Sequence, residues 1–117
     1  MLTIWHNPRC RKSRETLALL EASGKTVTIR RYLEDGPTAE ELRDILQQLA
    51  FVDPRQLMRR GEAIYKALDL KSVADAALLV KAMAENPILI ERPVVSNSQK
   101  AYLGRPPEAV KPLLLGD

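Results

Sequence analysis

The sequence predicts an α/β domain, ordered β-α-β, then a helical insert, then β-β-α, around a mixed sheet of about four strands. Three observations predict it. A strand-like run, a helical run and a second strand-like run fall within the first ~35 residues, which calls for a parallel pair joined by a right-handed crossover. The middle, roughly residues 38–86, carries helical periodicity and helix caps. The tail returns to short β-branched runs separated by turn residues. At 117 residues the chain is expected to be one domain, 1–117.

Each element has its own signal. LTIWH (2–6) alternates apolar and polar side chains and reads as a strand, broken by Asn7-Pro8. SRETLALLEA (13–22) places Leu17 and Leu20 on one helical face, and Ser23-Gly24 ends it with a glycine suited to a left-handed cap. TVTIRRY (26–32) is the second strand. Thr38 and Glu41 form a T-x-x-E capping box ahead of AEELRDILQQLA. Asp53-Pro54 opens a further helical stretch, PRQLMRR. Ser72 and Asp75 cap VADAALLVKAMAE, which Asn86-Pro87 ends. ILI (88–90) and VVS (94–96) read as strand runs around Glu91-Arg92-Pro93, and KAYLG (100–104) as their hairpin partner. Pro106-Pro107 starts a last helix, EAVKPLLL, whose regularity Pro112 limits.

Composition narrows the function classes. Hydrophobic residues make up 45% and charged residues 28%, the balance of a chain with a core. No apolar run approaches a membrane span and no signal-peptide pattern opens the chain, so a cytoplasmic protein with no membrane partner is expected. A single cysteine excludes an internal disulfide framework and a cysteine-rich metal site. The net charge of +3 is mildly basic, but aromatics are only 4% and none interleave with basic runs, which disfavours nucleic acid. A small anion explains a local basic cluster better.

That cluster is HNPRCRKSRETL (6–17), which holds the only cysteine, Cys10, and the only histidine, His6. Cys10 falls in the first β-to-α connection, where parallel α/β units collect functional groups. Thiolates are favoured by nearby cations and by helix N-termini. Arg9, Arg11, Lys12 and Arg14 supply the charge, the following helix supplies the dipole, and Ser13 is placed to donate to the sulfur. His6 either tunes the thiol or is simply a strand-end histidine bonded to backbone. A buried structural cysteine would not carry arginines on both sides, because burying those charges costs too much. Spacing disposes of other cysteine chemistries. Ser13 replaces the second thiol of C-x-x-C, and Thr16 replaces the arginine of a C-x5-R phosphatase loop. The thiol therefore works alone, and any disulfide it forms is with another molecule. Arg92 and Arg105 each precede a proline, which biases them to extended backbone, and Pro93 is a candidate cis residue. Arginines converging on the thiol would make a forked oxyanion site.

Taken together, these residues resemble the glutaredoxin-coupled arsenate reductase family, the ArsC family, of thioredoxin fold. The marks are HNPxCxxSRxxL at 6–17, YLE at 32–34, LMRR…Y at 57–65, NPILIERPVV at 86–95 and LGRPPE at 103–108. The resemblance implies that Cys10 is the catalytic nucleophile and that Arg59, Arg92 and Arg105 hold the oxyanion. It implies that His6 and Ser13 tune the thiolate and that Pro93 is the cis-proline facing it. The implied reaction takes arsenate to arsenite, with glutathione as co-substrate, glutaredoxin as partner and no bound cofactor or metal. Arg9 and Arg11 depart from the family's best-established enzymes, which carry small residues there. Two other readings compete: a glutathione-dependent monothiol oxidoreductase acting on mixed disulfides, and a regulator-like binding module. Ser13 removes the dithiol switch that the latter would use.

Overall fold

Leu2–Trp5 forms β1, the strand that organises the sheet. It pairs in parallel with β2, Val27–Arg30, in a register that sets Leu2 opposite Val27 and Trp5 opposite Arg30. On its other side β1 runs antiparallel to β3, Val94–Ser96, with Trp5 opposite Val94. β3 then pairs antiparallel with β4, Ala101–Leu103, to give the order β2-β1-β3-β4. The sheet is mixed because β1 and β2 are joined through α1, Arg11–Ala22, whereas β3 and β4 are joined by a short turn. This computed structural model describes residues 1–115, and its chain divides into two compact units: 1–35 with the segment from Arg92 onward, and Gly36–Glu91.

The first unit contains the sheet. Successive side chains alternate between faces, so Leu2 and Ile4 point the same way. They pack with Leu20 of α1, Val95 of β3, and Val110 and Leu113 of the C-terminal turn. α1 ends where expected: Gly24 has φ +80° and its N–H bonds the Glu21 carbonyl at 3.2 Å. The last segment, Pro107–Leu114, is 3₁₀ rather than α-helix. Pro112 has no N–H to continue an α ladder.

The second unit is helical. α2, Ala39–Leu49, opens with the expected box: Thr38 Oγ1 accepts from Glu41 N at 3.1 Å, and Thr38 N donates to Glu41 Oε1 at 3.0 Å. Leu42, Ile45 and Leu46 form its buried stripe, which packs on α4, Ala76–Glu85. Asp75, not Ser72, caps α4, its Oδ1 accepting from Ala77 N at 2.9 Å. Ser72 closes the 3₁₀ turn Leu70–Ser72, one turn earlier. The stretch after Asp53 is a 3₁₀ turn, Pro54–Leu57, followed by a one-turn α3, Ala63–Ala67. Arg55 holds this region together by donating to the carbonyls of Leu70 and Val73.

One expected strand is absent. Residues 87–89 of the apolar run form a 3₁₀ turn, and Ile90 makes only an isolated bridge to Met58. Pro87 starts the turn, and Leu89 and Ile90 are buried apolar residues of the second unit. Apolar burial without a ladder gives the same sequence signal as a strand. Among the described residues, no helix is long and apolar enough to cross a membrane.

Candidate active site

The strand register gathers the site. His6 to Cys10 follow the carboxyl end of β1, Arg92-Pro93 immediately precedes β3, and Gly104-Arg105 immediately follows β4. Because β3 is antiparallel to both neighbours, its start lies beside the ends of β1 and β4. Three sequence-distant segments thus meet at one edge of the sheet.

Cys10, with extended backbone (φ −93°, ψ 122°), caps α1, which begins at Arg11, two positions before the predicted helix start at Ser13. Residues at this place normally turn a side-chain oxygen onto the free N–H groups of the first turn. Here the side chain is a thiol, and it closes no such hydrogen bond. Those N–H groups still act on the sulfur's charge. Burial pushes the Cys10 thiol up, but the Ser13 N–H, the Arg92 guanidinium and the Lys12 N–H together outweigh it and hold the pKa below its ordinary value.

The flanking cations have other engagements. Arg11 and Lys12 reach toward Glu15, at 3.4 and 3.8 Å, on an exposed face. Arg14, expected to tune the thiolate, is exposed and donates from Nη1 to the Pro8 carbonyl at 2.9 Å. Its charge bears on His6 rather than on the sulfur. The cation that does face Cys10 is Arg92, 82 residues away in sequence. The Arg92 Nε is buried and has no hydrogen-bond partner among the described residues. The Arg92 carbonyl accepts from Arg105 Nη1 at 2.9 Å, which brings both guanidinium-bearing residues to one place.

His6 is buried, and its backbone N–H bonds the Arg30 carbonyl at 2.8 Å. Its Nδ1 lies 2.6 Å from Ser13 Oγ, which also accepts from Asn7 N at 3.0 Å. The Ser13 hydroxyl is therefore committed to His6 and Asn7, and it is the Ser13 backbone N–H that serves the sulfur. Burial, then the charges of Arg31 and Arg14, push His6 below its ordinary value, against a smaller opposing effect of Glu21. The lowered pKa favours the neutral ring, and His6 serves by holding Ser13, and with it the loop.

The Arg92-Pro93 and Arg105-Pro106 bonds are both cis; of the two prolines, only Pro93 is singled out by the sequence. Gly104, not singled out by the sequence, is the packing hinge of the site. Its N–H bonds the Pro93 carbonyl at 2.9 Å, and a Cβ built there would lie 2.7 Å from Pro93 Cγ and closer still to Thr16 Oγ1. Its signal was there: a glycine between a strand and an arginine-proline pair. Arg59 belongs to the second unit. Its Nη1 pairs with Glu62 at 2.7 Å, its Nε lies 3.8 Å from Glu91, and its backbone N–H bonds the Leu89 carbonyl at 2.7 Å. Among the described residues, no group of three or more His, Cys, Asp or Glu side chains could hold a metal ion.

A mixed four-stranded sheet with one activated cysteine beyond its central parallel strand defines a monothiol protein of thioredoxin-like fold. Comparison with known proteins sharpens this. The model of the ArsC family matches residues 5–113, and the chain belongs to that family. The arsenate reductase of Haemophilus influenzae is 47% identical over 112 residues, covering 95% of this chain and 97% of that protein. The arsenate reductase of Escherichia coli is 38% identical over 116 residues, covering 97% of this chain and 80% of that protein. The solved arsenate reductase of Vibrio cholerae superimposes with a TM-score of 0.90 at 47% identity, covering 94% of this chain and 95% of that one.

Proposed function

We propose that this protein reduces arsenate to arsenite, with Cys10 as nucleophile and with glutathione and glutaredoxin supplying the electrons. The single observation that carries the reading is the pairing of Cys10 with Arg92, whose buried Nε has a donor to spare beside a thiol held toward its anion. Family membership and relatives named arsenate reductase support the choice of oxyanion.

In this reading Arg92 and Arg105 receive the tetrahedral oxyanion and offset its charge, so that a thiolate can approach. Arg59 enters on its family motif alone. The Cys10 sulfur forms a bond to arsenic and one arsenate oxygen leaves as water. Glutathione thiolate then attacks the Cys10 sulfur. A Cys10–glutathione disulfide forms, and the sulfur–arsenic bonding pair departs with arsenic as arsenite. A glutaredoxin thiol removes the glutathionyl group and restores Cys10. The lone cysteine makes the external thiol a requirement, since no second cysteine is present to resolve the intermediate.

Steady-state turnover tests this. With arsenate, glutathione, glutaredoxin and a coupled NADPH-regenerating system, the protein is expected to turn over, and omission of either thiol donor should stop it. Turnover no higher than that of Cys10→Ser would refute the proposal. Turnover sustained without glutathione would refute the assignment of reductant.

A further inference from the structure

The proposed chemistry uses Cys10, Arg92 and Arg105 and leaves unexplained the cations that crowd the thiol loop. Arg9 is exposed, and its backbone N–H donates to Asn7 Oδ1 at 3.0 Å. Arg11 is 82% exposed and its pairing with Glu15, at 3.4 Å, is a solvent-screened contact that leaves most of its donors free. Lys12 and Arg14 are also exposed, in the same first turn of α1. Four cations and one carboxylate, Glu15, thus fall within residues 9–15, in a chain whose net charge is only +3. None of the side chains of Arg9, Arg11 and Arg14 accounts for the lowered Cys10 pKa. Arg9 and Arg11 flank Cys10 in sequence with exposed side chains, and Arg92, the cation that does face the sulfur, has a buried Nε with no hydrogen-bond partner among the described residues.

We infer that Arg9 and Arg11 form a selectivity rim for the thiol co-substrate, favouring small thiols and disulfides that carry carboxylates over neutral or cationic ones. This rests on the reading of Cys10 as a thiol that exchanges with an external partner. Glutathione fits the rim chemically: it has two carboxylates against one ammonium, and its thiolate adds a further negative charge as it approaches. Charge of opposite sign around a site raises encounter rates and falls away with salt.

Thiol–disulfide exchange isolates the effect without arsenate. Cys10 thiolate attacks one sulfur of a symmetric disulfide, a Cys10–S–S bond forms, and the other half leaves as thiolate. Second-order rates would be measured with oxidised glutathione, neutral 2-hydroxyethyl disulfide and cationic cystamine, on the intact protein and on Arg9→Gln, Arg11→Gln and the double variant. The ratio of the glutathione rate to the neutral rate cancels any change in thiolate fraction. That ratio is expected to fall about tenfold in the double variant, the lower end of electrostatic steering, while the cystamine ratio rises. High salt should lower the glutathione ratio of the intact protein and leave that of the double variant flat. Ratios within about twofold of the intact protein, against the steering range, would overturn the inference. An intact charge-dependent ratio with no arsenate turnover would overturn only the arsenate reading.

Discussion

Replacing Arg92 with glutamine is expected to lower kcat/KM for arsenate by about 10²–10³, the usual cost of removing a donor aimed at a developing oxyanion. Arg92 does two jobs in this account. Its guanidinium is the one side chain whose charge lowers the Cys10 pKa, and in the proposed reaction it also receives the oxyanion. Glutamine keeps an amide donor but removes the charge and the forked geometry. The anchor for Arg105 is the Arg92 carbonyl, a backbone atom, so that contact survives the substitution and the loss is assigned to the guanidinium itself. The Cys10 titration should move upward in the same variant. An Arg92→Gln protein with arsenate kinetics within about threefold of the intact protein would remove Arg92 from the oxyanion role, since a true donor is worth far more.

Gly104→Ala is expected to destabilise the protein by about 1–3 kcal/mol, the range for forcing a methyl into a filled site. The sign is informative. Where the backbone is unstrained, glycine to alanine usually stabilises, because it narrows the unfolded ensemble by ~0.4–1 kcal/mol. Among the described glycines only Gly24 has a left-handed φ, so Gly104 offers no backbone reason for its identity. The reason is space. The new Cβ would press on Thr16 Oγ1 and on Pro93 Cγ, 2.7 Å away. Thr16 is buried, with its hydroxyl donating to the Lys12 carbonyl at 2.7 Å, and Pro93 is buried too, so neither is a flexible side-chain end that swings aside. Urea unfolding should show a lower midpoint at unchanged slope. A midpoint equal to or above that of the intact protein would show that the strand ends have room, and would end the view of Gly104 as the close-packed hinge of the site.

The parts of this molecule that were legible in its sequence are those set by near neighbours. The Thr38–Glu41 box, the Gly24 cap and the β1-α1-β2 crossover are local chemistry and appear where expected. Local chemistry also misled. The cations beside Cys10 invited the view that they charge the sulfur, yet their side chains point to Glu15, to Pro8 and to solvent. The residue that faces the sulfur arrives through the Trp5–Val94 register, which a single sequence does not display. Ser13 shows the same limit at the scale of one residue. Its side chain was expected at the thiol, but a buried histidine one strand-end away claims the hydroxyl and leaves the backbone N–H for the sulfur. The 88–90 run failed for another reason: Leu89 and Ile90 are buried without a ladder, and burial alone imitates a strand.

The most direct test is the ultraviolet titration of the Cys10 thiolate, with Cys10→Ser as the blank. The pKa is depressed in the folded protein, so the native state binds fewer protons than the unfolded chain as pH falls below the free-thiol value of about 8.5. The stability contributed by the thiolate is therefore fully present above that value and is lost as pH falls through the folded midpoint. Turnover should likewise reach its plateau below the pH at which a free thiol ionises. A midpoint below about 8.5 that rises in Arg92→Gln is the predicted result. A midpoint at or above that value, or one indifferent to Arg92, would contradict the account at its centre.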